Sequence, residues 1–161
     1  MDNIEICVKN GKQSCWFTLP ESLETIYDAL DVYEMEDTLL ISDYKAPFKI
    51  NETDNIDRLN DIANSYELNA SHPAIDFLGE LIKEGVYSDI ESALEDIDNI
   101  VVYDDCNSML DVAFAYIEET GLLSDIPENI SRYFNYEAFA NDMDIEGTFY
   151  FTGSGIALQI F

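Results

Sequence analysis

Positive charge is what this sequence has least of. Seven lysines and arginines stand against 34 aspartates and glutamates in 161 residues, a formal net charge of −27. After Lys83 no base occurs until Arg132, and thirteen acids fall in the forty-eight residues between. Ordinary nucleic-acid binding needs a basic footprint, so this balance excludes it. Docking on an anionic membrane surface is disfavoured for the same reason. No apolar run approaches the roughly 18 residues of a membrane span. The opening MDNIEICVKN has no signal-peptide pattern, and a cytoplasmic location is expected. The three cysteines, Cys7, Cys15 and Cys106, are an odd set without a CxxC and read as reduced thiols.

Catalytic and metal-binding residue types are also scarce. The one histidine, His72, precedes Pro73 and could pair with Asp76 one helical turn on, but no nucleophile is near; a helix-start or surface histidine is the simpler reading. Zinc requires Cys/His clusters that do not exist here. There is no glycine-rich phosphate loop, and Gly153 and Gly155 suit a hairpin. Asp142-x-Asp144-x-Glu146-Gly147 starts like a calcium loop, but Gly153 occupies the place of the required bidentate glutamate. No metal or other cofactor is expected. Paired carboxylates could serve a hydrolase, yet no pair is marked by an apolar surround. A hydrolase or calcium-dependent enzyme stays open as the alternative from another class, and a calcium titration with a substrate panel would decide it.

What is present is a foldable chain. Hydrophobic residues make up 47%, and nine Phe with ten Tyr exclude a disordered acidic polymer. A soluble domain needs a net charge of only about 2 to 8 in magnitude, and self-repulsion grows beyond that. A generally acidic proteome is the bland explanation. The sharper one is a basic partner, or a partner that normally holds nucleic acid.

Ile4, Ile6 and Val8 alternate in a strand over 3–9, Asn10-Gly11 marks a hairpin turn, and 14–19 return. Pro20 opens a helix over ESLETIYDALDVY with Leu23, Ile26, Tyr27 and Leu30 inward, and 38–44 form another strand. Residues 51–100 read as short helices: one over 56–66, one from His72-Pro73 to a stop at Gly85, and one capped by Ser88 with Glu91 and running to Ile97. Residues 100–103 are a strand, and 147–152 with 155–161 a terminal hairpin. The class is α+β in three parts: a small α+β unit over 1–50, a helical middle over 51–100, and an α+β unit over 101–161.

The stretch from Asp104 to Gly147 dominates, with eleven carboxylates and one cation, Arg132. Its apolar residues still keep helical spacing: Leu110, Ala113, Phe114 and Ile117 share one face. Ser108 with Asp111 is a capping box and Gly121 a stop, predicting a helix over 109–120. Asn135 caps a second helix from Tyr136 to about Met143. This is a folded acidic surface, not an acidic tail.

The run Tyr116-Ile-Glu-Glu-Thr-Gly-Leu-Leu, then Ile126-Pro-Glu, then Tyr133-Phe-Asn-Tyr-Glu-Ala-Phe-Ala-Asn-Asp-Met, then Gly147-Thr-Phe resembles the ArdA antirestriction family. Asp104-Asp105-Cys106, Met109-x-Asp111-Val112-Ala113, Trp16-Phe17 before Leu19-Pro20, and Ile41-Ser42-Asp43-Tyr44 before Pro47-Phe48 fit the same pattern. The family's N-L-G-K-Y-N-E-G segment is shortened here to Asn10-Gly11-Lys12. The resemblance implies an elongated, three-part, dimeric protein, not an enzyme, that imitates bent duplex DNA in the channel of type I restriction-modification enzymes. The shortened segment keeps open another DNA-handling target, such as a CRISPR nuclease. Duplex DNA carries about one charge per 1.7 Å of axis, so 27 charges correspond to roughly 45 Å of duplex.

On this reading the phosphate surrogates are Glu80, Glu84, Asp89, Glu91, Glu95, Asp96, Asp98, Asp104, Asp105, Asp111, Glu118, Glu119, Asp125 and Glu128. Asp111, Glu118 and Glu119 are the best supported by motif. Tyr133, Phe134, Tyr136 and Phe139, with the strand Ile156 to Phe161, are either core or homodimer contact, core being favoured for most of them.

Overall fold

The alternation of Ile4, Ile6 and Val8 buries all three in the first strand of the computed structural model, which describes residues 3–11, 13–33 and 38–161. Two compact units result, Met1–Glu95 and Asp96–Phe161. The first holds both the stretch expected as an N-terminal α+β unit and most of the expected helical middle. The α+β class holds: among the described residues there are seven α-helices and two three-stranded sheets.

In the first unit β1 (Glu5–Asn10) pairs antiparallel with β2 (Gln13–Thr18) from Glu5↔Thr18 to Asn10↔Gln13, with Gly11 in the left-handed region at φ +57°. β3 (Leu40–Lys45) pairs on the other side, giving the order β2-β1-β3. Between them lies α1 (Leu23–Ala29), which starts later and ends sooner than the sequence predicts. Ser22 is the cap, its hydroxyl accepting the Thr25 N–H at 3.1 Å, because proline at 20 has no side-chain acceptor for the free N–H groups of the first turn. At the far end Asp31 turns left-handed at φ +51°. Ile26 and Leu30 are buried as expected, whereas Leu23 and Tyr27 are only half-buried.

Asn55 caps α2 (Ile56–Leu68), which buries Ile56, Leu59, Ile62, Ala63 and Tyr66 along one face. His72 does not open a helix. Its Nδ1 accepts the Ala74 N–H at 3.1 Å in a tight turn, a 3-10 turn follows over Ile75–Phe77, and only then does α3 (Leu78–Lys83) begin. The buried Tyr66 hydroxyl donates to the Ile75 carbonyl at 3.0 Å, and burial pushes its ionisation up to about 12. α4 (Ile90–Glu95) is capped by Asp89, not by Ser88, with the Ser92 N–H donating to Asp89 Oδ1 at 2.8 Å.

The second unit opens with β4 (Ile100–Tyr103) and closes with β5 (Thr148–Phe151) and β6 (Ala157–Ile160). The order is β4-β6-β5, all antiparallel, so the last strand is the central one. Tyr103, Cys106, Val112 and Ala157 form a buried cluster against this sheet. α5 (Met109–Thr120) has the predicted bounds and caps: Ser108 accepts the Asp111 N–H at 3.2 Å, and Gly121 is left-handed at φ +63°. Its buried face is rotated from the expected one. Val112, Ala113 and Ile117 are inside, and Phe114 is 48% exposed. Phe114 instead stacks on Tyr136, with ring centroids 4.2 Å apart. A short helix α6 (Glu128–Ser131) occupies what the sequence shows only as a turn, being too brief for periodicity. α7 (Tyr136–Glu146) is capped by Asn135 as predicted and runs past Met143. Cys7 and Cys106 are buried, Cys15 is half-buried, and all three are free thiols.

Gly79, inside α3, has no room for a side chain: a Cβ there would meet the carbonyl oxygen of Pro47 well inside contact distance. Gly→Ala within a helix ordinarily stabilises by about 1 kcal/mol. Here overpacking decides the sign, and Gly79→Ala is expected to destabilise the first unit by roughly 1 to 3 kcal/mol. Urea unfolding followed by far-UV circular dichroism measures it; a gain in stability would show that α3 and the Pro47 segment separate freely.

Candidate functional site

The chain has too few cations to pair its acids, and an unpaired carboxylate cannot leave water without a large desolvation cost. The structure obeys this limit. Among the described residues no aspartate or glutamate is buried, and Thr152 is the buried polar residue. Two of the cations are spent on ion pairs of the first unit: Lys45 Nζ lies 2.7 Å from Glu5, and Arg58 Nε lies 2.5 Å from Glu91. The second unit sets thirteen acids against Arg132, which is exposed.

The fourteen candidate acids are not equivalent. Asp89 spends both oxygens on the start of α4, accepting the Ser92 N–H and the Ser88 hydroxyl, each at 2.8 Å. These bonds, the backbone one foremost, hold its carboxyl down at about 2. Asp111 accepts the Asn107 N–H at 3.0 Å and the Ser108 hydroxyl at 2.9 Å, which lower its pKa in the same way. Asp96 accepts from the Asn99 side chain, and Glu91 is tied to Arg58. Glu84, Glu95, Asp98, Asp104, Asp105, Glu118, Glu119, Asp125 and Glu128 are exposed, and Glu80 is half-buried.

Tertiary structure gathers some of these acids. The Cys106 thiol is pushed up first by burial and then by the fields of Asp111, Asp105, Glu119 and Asp104. Asp104, Asp105 and Asp111 are within five residues of Cys106 in the chain, and the fold adds Glu119 from the far end of α5. Tyr103 is pushed up chiefly by burial, with Glu119 adding to it. Glu118, one residue from Glu119 and so about 100° round the helix, lines a different surface, a shallow groove with Phe114, Ile117 and Tyr136.

The aromatic candidates also divide. Phe134, Tyr136 and Phe139 are half-buried and packed together, Phe134 meeting Tyr136 edge-on at 5.0 Å and Phe139 at 5.6 Å. Tyr133 is 81% exposed. Leu122, Ile126 and Ile130 are exposed beside it in sequence; they lie outside any long helix, so no periodicity singled them out. Asp142, Asp144 and Glu146 lie within α7, where alternate residues point to different sides and cannot wrap an ion as a loop would. The hydrogen bonds at Asp89 and Asp111 lower the pKa of both carboxyls, opposite to what a general acid needs. The arrangement suits charge presentation.

The family model for antirestriction protein (ArdA) matches residues 10–157 of the chain. No curated protein matches it.

The cap assignment has a consequence for stability. Asp89 has a folded pKa of about 2 against an ordinary 3.8. A depressed folded pKa gives stability that is full above the ordinary value and is lost as pH falls toward 2. Asp89→Ala is expected to lower the melting temperature at pH 7, and the difference from the parent should shrink between about pH 4 and pH 2. Asp89→Asn keeps a capping oxygen and should lose less. Melts of the three proteins across that range test this; equal melting of Asp89→Ala and the parent at pH 7 would remove the cap.

Proposed function

This chain belongs to the ArdA antirestriction family, a family of inhibitor proteins and not enzymes, and on that premise we propose that it acts as a surrogate for duplex DNA. Its carboxylates take the places of phosphates in the DNA channel of a type I restriction-modification enzyme. The observation that carries this reading is the second unit, where thirteen acids face one cation and the open ones stand at the surface of a folded domain. A channel built to hold DNA is lined with lysine and arginine. Carboxylates one helical turn apart lie about 6 Å from one another along the axis, close to phosphate spacing. Many weak charge contacts would then add up to an affinity that falls steeply with salt, as DNA binding does. The target acts on DNA inside the cell, so the inhibitor would work in the cytoplasm.

The same reading makes the protein a homodimer, joined through its C-terminal part. Tyr133 with Leu122, Ile126 and Ile130 supplies exposed apolar surface there, which mutual repulsion of the two acidic copies opposes. Low salt should favour dissociation. A second target is favoured by one observation: Asn10 pairs directly with Gln13 across the tight β1–β2 turn, where the family carries a longer segment. A CRISPR nuclease is the alternative on that account.

The test is displacement of labelled duplex DNA from a type I restriction-modification enzyme at two salt concentrations. Displacement should weaken steeply with salt. Replacing Asp104, Asp105, Glu118, Glu119, Asp125 and Glu128 together by their amides should weaken inhibition roughly tenfold or more, at about 0.2 to 1 kcal/mol for each exposed charge. Single replacements should cost less than about fivefold. A sixfold variant that inhibits like the parent would sink charge mimicry; displacement from a CRISPR nuclease alone would move it to that target.

A further inference from the structure

The groove between α2 and α4 is a shaped site and not simply more acidic surface. Its volume is about 300 Å³. Asp61 on α2 and Glu95 on α4 line it, both exposed and neither with a side-chain hydrogen bond or ion pair to a described residue. Buried Ile62 and Leu94 supply apolar walls. At one end lies Arg58, whose guanidinium Nε donates to Glu91 Oε1 at 2.5 Å. The second oxygen of Glu91, Oε2, is shielded from water and accepts no hydrogen bond from a described residue. From Arg58 to Asn69 the α2 wall runs eleven residues, about 16 Å. One internal guanidinium fills only an end of that length.

We propose that this groove receives an arginine side chain of the protein that the chain inhibits, its stem on Ile62 and Leu94 and its guanidinium between Asp61 and Glu95. The proposal rests on the inhibitor reading above and names a contact within it. Arg58 is the argument from chemistry: a guanidinium already sits in this groove on a carboxylate of α4. The charge is complementary, because three carboxylates line the groove against Arg58 alone. Arginine fits better than lysine, since a planar fork can bond to carboxylates on two walls at once. A long apolar side chain would fill the walls but leave two carboxylates facing it. Asp61 was not among the acids singled out in the sequence, because it lies well before the cation-free stretch.

The test uses the full chain and N-acetyl-L-arginine methylamide, followed by NMR. Saturable shifts are expected at Ile62, Ser65, Asn69 and Leu94, and none with the norleucine analogue, which has the stem without the charge. Asp61→Asn with Glu95→Gln should weaken that binding about fivefold or more. Asp28→Asn with Glu146→Gln, an equal loss of charge at exposed sites outside the groove, should leave it unchanged. Neither acid of the first pair has a partner to lose, so folding is not at stake; thermal melts check this. The groove pair should also weaken inhibition of the target more than the control pair does. Shifts spread evenly over all acidic residues, or equal inhibition by the two pairs, would overturn the proposal. So would Ser65 and Leu94 signals that move with protein concentration alone, which would seat a second copy there. If the parent displaces no DNA from any enzyme, the inhibitor reading fails by itself, while the titration still decides whether the groove takes a guanidinium.

Discussion

Hydration of the carboxylates is the constraint on which the rest of the structure depends. With 34 acids and seven bases, ion pairing cannot compensate burial of more than a few. Taking an unpaired carboxylate out of water costs several kcal/mol even after relaxation. The chain therefore folds into units small enough to keep all their described acids at the surface, with cores of aliphatic and aromatic residues.

Local structure turns part of that charge to use. Asp89 and Asp111 stand at helix starts, where free N–H groups and the positive end of the helix dipole attract a carboxylate. Ser22, Asn55, Ser108 and Asn135 cap α1, α2, α5 and α7 with neutral oxygens, whereas α3 and α6 start without a side-chain cap. The acids that hold the fold are thus different from those open to a partner, although sequence distance and residue type do not separate the two. Glu91 belongs to a third kind. Its pairing with Arg58 links α4 to α2 and shows how this surface holds a guanidinium.

Binding through dispersed charge gives reach and salt sensitivity but little selectivity, because any basic channel offers lysines and arginines. Selectivity needs shape. The groove beside Arg58 has walls, length and direction. Asp111, Asp105, Glu119 and Asp104 likewise all act on the one thiol of Cys106, after burial. On the proposed reading, such a surface would compete with DNA by charge and distinguish targets by where its charges are held.

Some features were written in the chain. The caps at Ser108 and Asn135, the stop at Gly121, the strands flanking Gly11 and the terminal hairpin are local matters, set by residues a few positions apart. The motifs of 104–151 likewise carried the family. Elsewhere local signals competed, and the winner depended on neighbours. Pro20 lost the helix start to Ser22, and Ser88 lost the cap to Asp89, because a properly placed oxygen satisfies an N–H group and mere proximity does not. The helix face of α5 shifted from Phe114 to Val112 because the sheet and Tyr136 compete for those side chains. Sequence by itself determined that the protein is acidic, folded, α+β and related to antirestriction inhibitors. Only the tertiary structure decided which carboxylates are spent on caps, that Glu119 acts on Cys106, and that Asp61 and Glu95 line one groove. Charge and periodicity are properties of a stretch, whereas a site is a property of distances between stretches.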